Sequence, residues 1–248
     1  MFDEINVELI LIIFNYLSDS QKMKLYEIFD EEIIKDFKNS KLKIKLHDFY
    51  FYDKINNENI FDFSKIHIRK NKILPNLPNS ITHLTFGTYF NQNVDNLPNS
   101  ITHLNFGFYF NQKVKHLPNS IIHLNFGWHF SQKVDKLPNS ITNLYFDHFF
   151  NQKVNKLPNT IIDLHFGHYF NQSVNNLPNS LTHLTFSFDF DQEINNLPNS
   201  ITHLSLAHKF SQKINNLPKC LIHLSISNSY NFSEDLNNLP KNIIISKY

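Results

Sequence analysis

The chain has 248 residues, 41% of them hydrophobic and 15% aromatic, which is enough apolar surface for a sizeable core and excludes a disordered tail. Its net charge of +1 splits into an acidic first forty residues (four Lys against nine Asp and Glu) and a mildly basic remainder (19 against 13), too diffuse for nucleic-acid binding. The lone cysteine, Cys220, excludes an intramolecular disulfide framework and favours a reducing, cytoplasmic setting.

Residues 1–40 read as a small α-helical head. Asn6 suits an N-cap, Glu8 sits in the first turn, and Ile5 is placed to staple onto Ile10. Val7, Ile10, Leu11, Phe14 and Leu17 then share one side of a helix, which Ser18 to Ser20 break. A second helix is expected through Met23, Tyr26 and Phe29, and a third through Ile33, Ile34 and Phe37. Leu9, Ile12, Ile13 and Tyr16 lie off the first stripe, so this helix has more apolar surface than a small bundle covers, and the surplus asks for a partner. The apolar run from Leu9 to Phe14 is too short to span a bilayer and is preceded by acidic rather than basic residues, so neither a signal peptide nor a membrane anchor is expected.

The stretch "INVELILIIFNYLSDSQKMKL" resembles the F-box, a helical module that docks on the Skp-type adaptor of cullin-RING ubiquitin ligases. The shared features are Glu8-Leu9, Ile13-Phe14 and Tyr16-Leu17 before a polar break; the departures are Ile5-Asn6 for the usual Leu-Pro and the lack of a nearby tryptophan, since Trp128 is the sole one. The resemblance implies adaptor binding through Leu9, Ile13, Phe14, Tyr16 and Leu17. The residues by themselves also allow a head that only caps the open end of a repeat array.

Residues 41–76 contain worn copies of a repeat, "LKIKLHDFYFYDKINN" and "FSKIHIRKNKILPN". From 77 to 238 the repeat is plain: "LP" recurs every twenty residues from Leu77 to Leu217 and once more, after a longer step, at Leu239, defining eight units of pattern L-P-x-x-I-x-x-L-x-F-G-x-x-F-N-Q-x-V-x-x. Each unit has room for one short strand and a return path. The strand belongs at "HLNF", where His103 and Asn105 face one way and Leu104 and Phe106 the other. The proline removes a donor and biases its predecessor away from the α region, so the return path is extended rather than helical. The expected fold is therefore mainly β, a leucine-rich-repeat-like solenoid with a parallel sheet on one face and extended segments on the other.

Stacking units about 4.8 Å apart would zip Leu84, Leu104 and Leu124 into a column, with internal Phe columns worth about 2 kcal/mol per ring. Asn91, Gln92 and their equivalents read as an amide ladder satisfying backbone groups. Gly87, Gly107, Gly127 and Gly167 are expected to hold a bend at positive φ. Residues 239–248 complete a polar carboxyl-terminal cap.

The unit "LPNSITHLTFGTYFNQNV" resembles the FNIP repeat, a leucine-rich-repeat relative, trimmed after "FNQ". That resemblance implies a protein-binding solenoid. The outward strand positions, where packing does not decide identity, supply the expected target face: His83, His103, His123, Tyr145, His165, His183, His203 and His223, with Phe108, Trp128, His148, His168 and Phe188 beyond the strand. Parallel histidines on a flat ladder do not converge on one ion, so no metal is expected. The serines recur in every unit behind "LPN" and the four glycines are scattered, so no catalytic residues, cofactor or enzyme activity are expected. Together these readings give a non-catalytic interaction scaffold, the substrate receptor of a Skp-cullin-F-box ligase. The alternative is a repeat-only binding solenoid. Either would be a monomer outside its complex, with a protein target and without nucleic acid or membrane.

Overall fold

The computed structural model describes residues 14, 16–18, 21–22, 44–51, 61–68, 77–230 and 239–248. Among these residues eleven strands run β1 (Ile44–Phe51), β2 (Phe61–Ile68), β3 (His83–Phe86), β4 (His103–Asn105), β5 (His123–Asn125), β6 (Asn143–Tyr145), β7 (Asp163–Phe166), β8 (His183–Phe186), β9 (His203–Ser205), β10 (His223–Ile226) and β11 (Ile244–Lys247). They form one sheet in strict chain order, and every neighbouring pair is parallel. Only a right-sized return path allows this. Twenty residues per coil bring Leu84, Leu104 and Leu124 opposite one another without a slip, whereas the longer last coil sets His223 opposite Ile244.

Among the described residues the return path contains no helix. Each coil turns after the strand, where Phe110 N donates to Gly107 O at 3.2 Å, and again behind the proline, where Ile101 N donates to Pro98 O at 3.3 Å. The post-strand turns also bond from coil to coil: Tyr109 N donates to Thr88 O at 2.9 Å, and His129 N to Phe108 O at 2.9 Å. Backbone polar groups are therefore satisfied between coils, as a buried stack requires.

Alternation along the strand fixes what lies inside. Leu84 through Leu224 are buried, as are Phe86 through Phe186 and Phe90 through Phe210 at the same steps. Phe106 stacks on Phe110 within its coil at 3.8 Å and on Phe126 of the next at 5.5 Å, so the two Phe columns interlock as one aromatic core. The amide ladder sits outside that core: Asn91 Oδ1 accepts from Asn111 N at 2.9 Å and from Gln112 Nε2 at 3.0 Å, and Asn111 repeats this toward Ser131 and Gln132. Where Ser131 replaces Asn, Gln152 Nε2 turns to its hydroxyl at 3.4 Å.

The glycines differ from expectation. Gly107, Gly127 and Gly167 do not adopt positive φ; a Cβ at Gly107 would lie 1.9 Å from Gly87 O, and one at Gly127 would lie 2.0 Å from Gly107 O. Close approach of successive coils, not chain reversal, selects glycine here.

In the amino-terminal segment, Ser18 N donates to Gln21 Oε1 at 2.9 Å while Gln21 N donates to Ser18 Oγ at 3.4 Å, the reciprocal pair of a capping box. The α-helical head expected over 1–40 is not shown: Phe14, Gln21 and Lys22 have helical backbone, but most of that segment lies outside the described residues and no complete helix is described in it. No helix among the described residues is long and apolar enough to cross a membrane.

Candidate functional site

Two surfaces are built by the same ladder. The first is the outward face of strands β3–β10. His83 stacks on His103 at 4.1 Å and His103 on His123 at 4.3 Å. Asn143 and Asp163 interrupt the row, which resumes as His183, His203 and His223 at 4.4 and 4.6 Å. Threonines steady the rings from the position before: Thr102 Oγ1 lies 2.9 Å from His103 Nδ1, Thr182 Oγ1 2.8 Å from His183 Nδ1, and Thr202 Oγ1 2.9 Å from His203 Nδ1.

The interruption is a cluster of its own. Tyr145 Oη donates to Asp163 Oδ2 at 2.6 Å, Asn143 Nδ2 reaches the same oxygen at 3.4 Å, and the Tyr145 ring stacks on His165 at 4.6 Å. His165 Nε2 comes within 2.9 Å of Asp163 Oδ1, an ion pair when the imidazole is charged. The approach is close but poorly aligned, since the buried Oδ1 has no well-directed hydrogen bond. Burial works to raise the Asp163 carboxyl, but the His165 nitrogen, the Tyr145 hydroxyl and the Asn143 amide outweigh it and hold the group below its usual range. Burial, followed by the bond to that carboxylate, pushes the Tyr145 phenol up.

Burial is also the main reason His83, His103 and His203 resist protonation. His103 is pushed down to about 4 by burial and then by the charges His83 and His123 would carry. His83 is lowered by burial, Lys65 and His123, and His203 by burial, His183 and His223. These rings are neutral donor-acceptors at neutral pH.

The second surface is the edge just past the strands. Phe108 stacks on Trp128 at 5.2 Å, Trp128 on His148 at 3.8 Å, His168 on Phe188 at 4.6 Å, and Phe188 on His208 at 5.0 Å. His148 and His168 lie 4.5 Å apart between them. Burial, then His168, lowers His148, against the pull of Asp147 and Asp189. The target-face residues expected from the sequence lie on these two surfaces, Tyr145 and His165 beside the histidine row rather than in it.

A third row was missed. Tyr89, Tyr109, His129, Phe149 and Tyr169 stack at 5.5, 5.0, 5.0 and 5.3 Å beside the Phe108 row, meeting it edge to face, as at Phe108 and Tyr109. Tyr89 is 68% exposed and Phe149 39%, so this row is surface. It ends in charge: Lys209 Nζ lies 2.8 Å from Asp189 and 5.0 Å over the Phe188 ring. A groove of about 670 Å³ beside it is lined by Phe149, Asn151, Tyr169, Asn171, Asp189 and Lys209. The twenty-residue period carried the signal, one position after Phe108.

Among the described residues no three His, Cys, Asp or Glu side chains are placed to hold one metal ion, since parallel rings do not converge. Of the residues proposed for adaptor binding, Leu9 and Ile13 lie outside the described residues. Phe14 is buried and Leu17 packs partly buried against the core, so Phe14 offers a partner no surface; Tyr16 is 86% exposed.

The repeat model for "FNIP Repeat" matches at residues 71–109, 93–129, 110–149, 150–189 and 170–209, more than half of the chain. The chain belongs to the FNIP-repeat family. No curated protein matches it. Among solved structures it is similar to CroV588, described as a novel circular LRR protein structure, with 39% identity and a TM-score of 0.61 over 77% of this chain. The FNIP chain described here spans 34% of that protein's length. The similarity supports the leucine-rich-repeat-like solenoid and a sheet made of parallel strands.

Proposed function

We propose that the solenoid is a non-catalytic protein-interaction scaffold that takes its target on the outward sheet face and the adjoining aromatic edge. One observation carries this reading: inward positions stay apolar from coil to coil, with Leu at every step from Leu84 to Leu224 and Phe from Phe86 to Phe186, while the outward rows vary among His, Asn, Asp, Tyr, Phe and Trp on an unchanged frame. Variation confined to a rigid exposed surface is what recognition needs. A photo-crosslinking residue placed at Trp128 or Tyr145 is expected to capture a protein that one at Lys133, on an exposed return segment, does not. Equal capture from all three positions overturns the assignment.

The finer reading is that the amino-terminal segment recruits a Skp-type adaptor, making the protein the substrate receptor of a cullin-RING ubiquitin ligase. Its support is the F-box-like sequence pattern together with the exposed Tyr16 beside a capping box. Copurification with the adaptor, lost on Tyr16→Glu without loss of folding, is the expected outcome. If neither form brings the adaptor down, the segment serves only the solenoid.

A further inference from the structure

The return side of the solenoid concentrates charge that the whole-chain count spreads thin. Segments 111–116, 131–136 and 151–156 carry six lysines, Lys113, Lys115, Lys133, Lys136, Lys153 and Lys156, against one acid, Asp135. Segments 91–96, 171–176, 191–196 and 211–216 hold the same places in other coils with one lysine, Lys213, and three acids, Asp95, Asp191 and Glu193. All six lysines are exposed, and among the described residues none of them forms an ion pair. Stacking by twenty residues sets Lys113, Lys133 and Lys153 one above another at steps of about 4.8 Å, with Lys136 over Lys156 beside them. Like charges in register cost stability, and Asn93, Ser173 and Glu193 show that the coil itself does not ask for lysine there.

Next to this band the chain places donors and rings. Asn111 and Asn151 turn their Oδ1 atoms to backbone N–H groups of the following coil, Ser131 N and Asn171 N, both at 3.0 Å, so their Nδ2 donors are left on the exposed side. The Tyr109, His129 and Phe149 row runs four residues ahead of Lys113, Lys133 and Lys153 in the same three coils, and Phe149 lines one groove with Asn151. Cations, neutral donors and aromatic rings therefore share a strip. Its charged or titratable groups are the six lysines, Asp135, Tyr109, His129 and, at its edge, His116 beside Asp95 at 3.3 Å.

We propose that this strip binds a single-stranded nucleic acid, its phosphates along Lys113, Lys133 and Lys153 with Lys136 and Lys156, and its bases turned to the row of Tyr109, His129 and Phe149. Charge density selects the partner. Those five lysines span about 10 Å, about one cation per 2–3 Å. A nucleic-acid strand carries one phosphate per about 3.4 Å, whereas an extended acidic peptide turns a carboxylate to one side only every 6.7 Å, about twice that spacing. A duplex would leave the rings unused, because its bases are already stacked; a single strand uses both halves of the strip. The fold thus focuses a basic excess that looks diffuse along the sequence. This surface lies apart from the sheet face, so it goes beyond the protein-target reading and stands or falls separately from it.

The test uses the full chain with a fluorescein-labelled oligothymidylate, a duplex of the same length, a polyglutamate peptide and phosphatidylserine vesicles. At pH 7.5 and low salt the single strand is expected to bind about tenfold tighter than the peptide. Log affinity should fall against log salt with a slope of about −3 to −4, the value for five phosphate contacts. Lys133→Glu combined with Lys153→Glu should weaken the single strand about tenfold or more; Glu193 occupies the same place naturally, so the coil accepts the change. Lys213→Glu, at that place in a coil without the cluster, should not. Tyr109→Ala should weaken the single strand about fivefold and spare the duplex. A single strand that does not bind, or whose binding ignores either the lysine pair or Tyr109, overturns the proposal. So does a duplex bound as tightly as the single strand. Tighter binding of the peptide or of the vesicles also overturns it, and makes the strip a surface for an acidic protein or an anionic membrane instead.

Discussion

The inner and outer rows of this solenoid share one frame and obey different rules. Phe110, Phe130 and Phe150 lie 6.1 Å apart inside, and Tyr109, His129 and Phe149 lie 5.0 Å apart outside, one residue earlier in each coil. Inside, the neighbours on every side are protein, so volume fixes the residue and the column stays phenylalanine. Outside, one side of each ring meets solvent, and the column tolerates tyrosine, histidine, aspartate and lysine. Stacking alone does not decide residue identity; enclosure does.

The largest expected effect tests that difference directly. Phe130 is fully buried and stacks on Phe110, Phe126 and Phe150. Phe130→Ala should cost about 3–5 kcal/mol, with loss of amide-exchange protection spreading to the flanking coils, because each coil is held by its neighbours. A smaller loss arises by crowding instead of by cavity. Gly127→Ala would push a methyl group into Gly107 O, and about 1–3 kcal/mol is expected by urea denaturation. Asp147 occupies the equivalent place naturally and already carries a Cβ, so Asp147→Ala should be far milder than Gly127→Ala.

Acid probes the outer row. His103 titrates near 4 when folded and at its ordinary 6.5 when not, and His83 and His203 move in the same direction. The unfolded chain then binds more protons between those values, so stability is full above about 6.5 and declines as pH falls toward 4. These rings are partly exposed, which screens the effect; a thermal midpoint lower by about 3–5 °C at pH 5 than at pH 7 is expected. His103→Gln should flatten that slope, and an unchanged slope would count against the stacked neutral imidazoles.

Much of the frame was legible in the sequence because two periods coincide. The twenty-residue step sets the stack, and the two-residue alternation in "HLNF" sets the inside and the outside, so the Leu and Phe columns and the outward histidines follow directly. The amide ladder was legible for the same reason. The glycine role was not, since composition does not reveal that successive coils approach within a Cβ radius. Nor was the Tyr89 row, because adjacent residues at a turn can both be displayed, whereas strand alternation would hide one of them. The Tyr145–Asp163–His165 cluster joins two coils, and its residues stand 18 and 2 apart, a pairing that no single repeat unit displays.

The smallest expected effect on stability belongs to Trp128, and that is its value. The ring lies between Phe108 and His148, on a row that solvent reaches, and removing it leaves the Phe126–Phe130 stack beneath it untouched. Trp128→Ala should therefore cost about 1 kcal/mol or less by urea denaturation, in contrast to Phe130→Ala two residues away. Binding should show the opposite order. If this edge is part of the target surface, Trp128→Ala removes a large exposed aromatic and should weaken a crosslinked partner by about tenfold or more. A tryptophan whose loss destabilised the fold as much as Phe130 would show that the outer row is structure, and that recognition is confined to the sheet face.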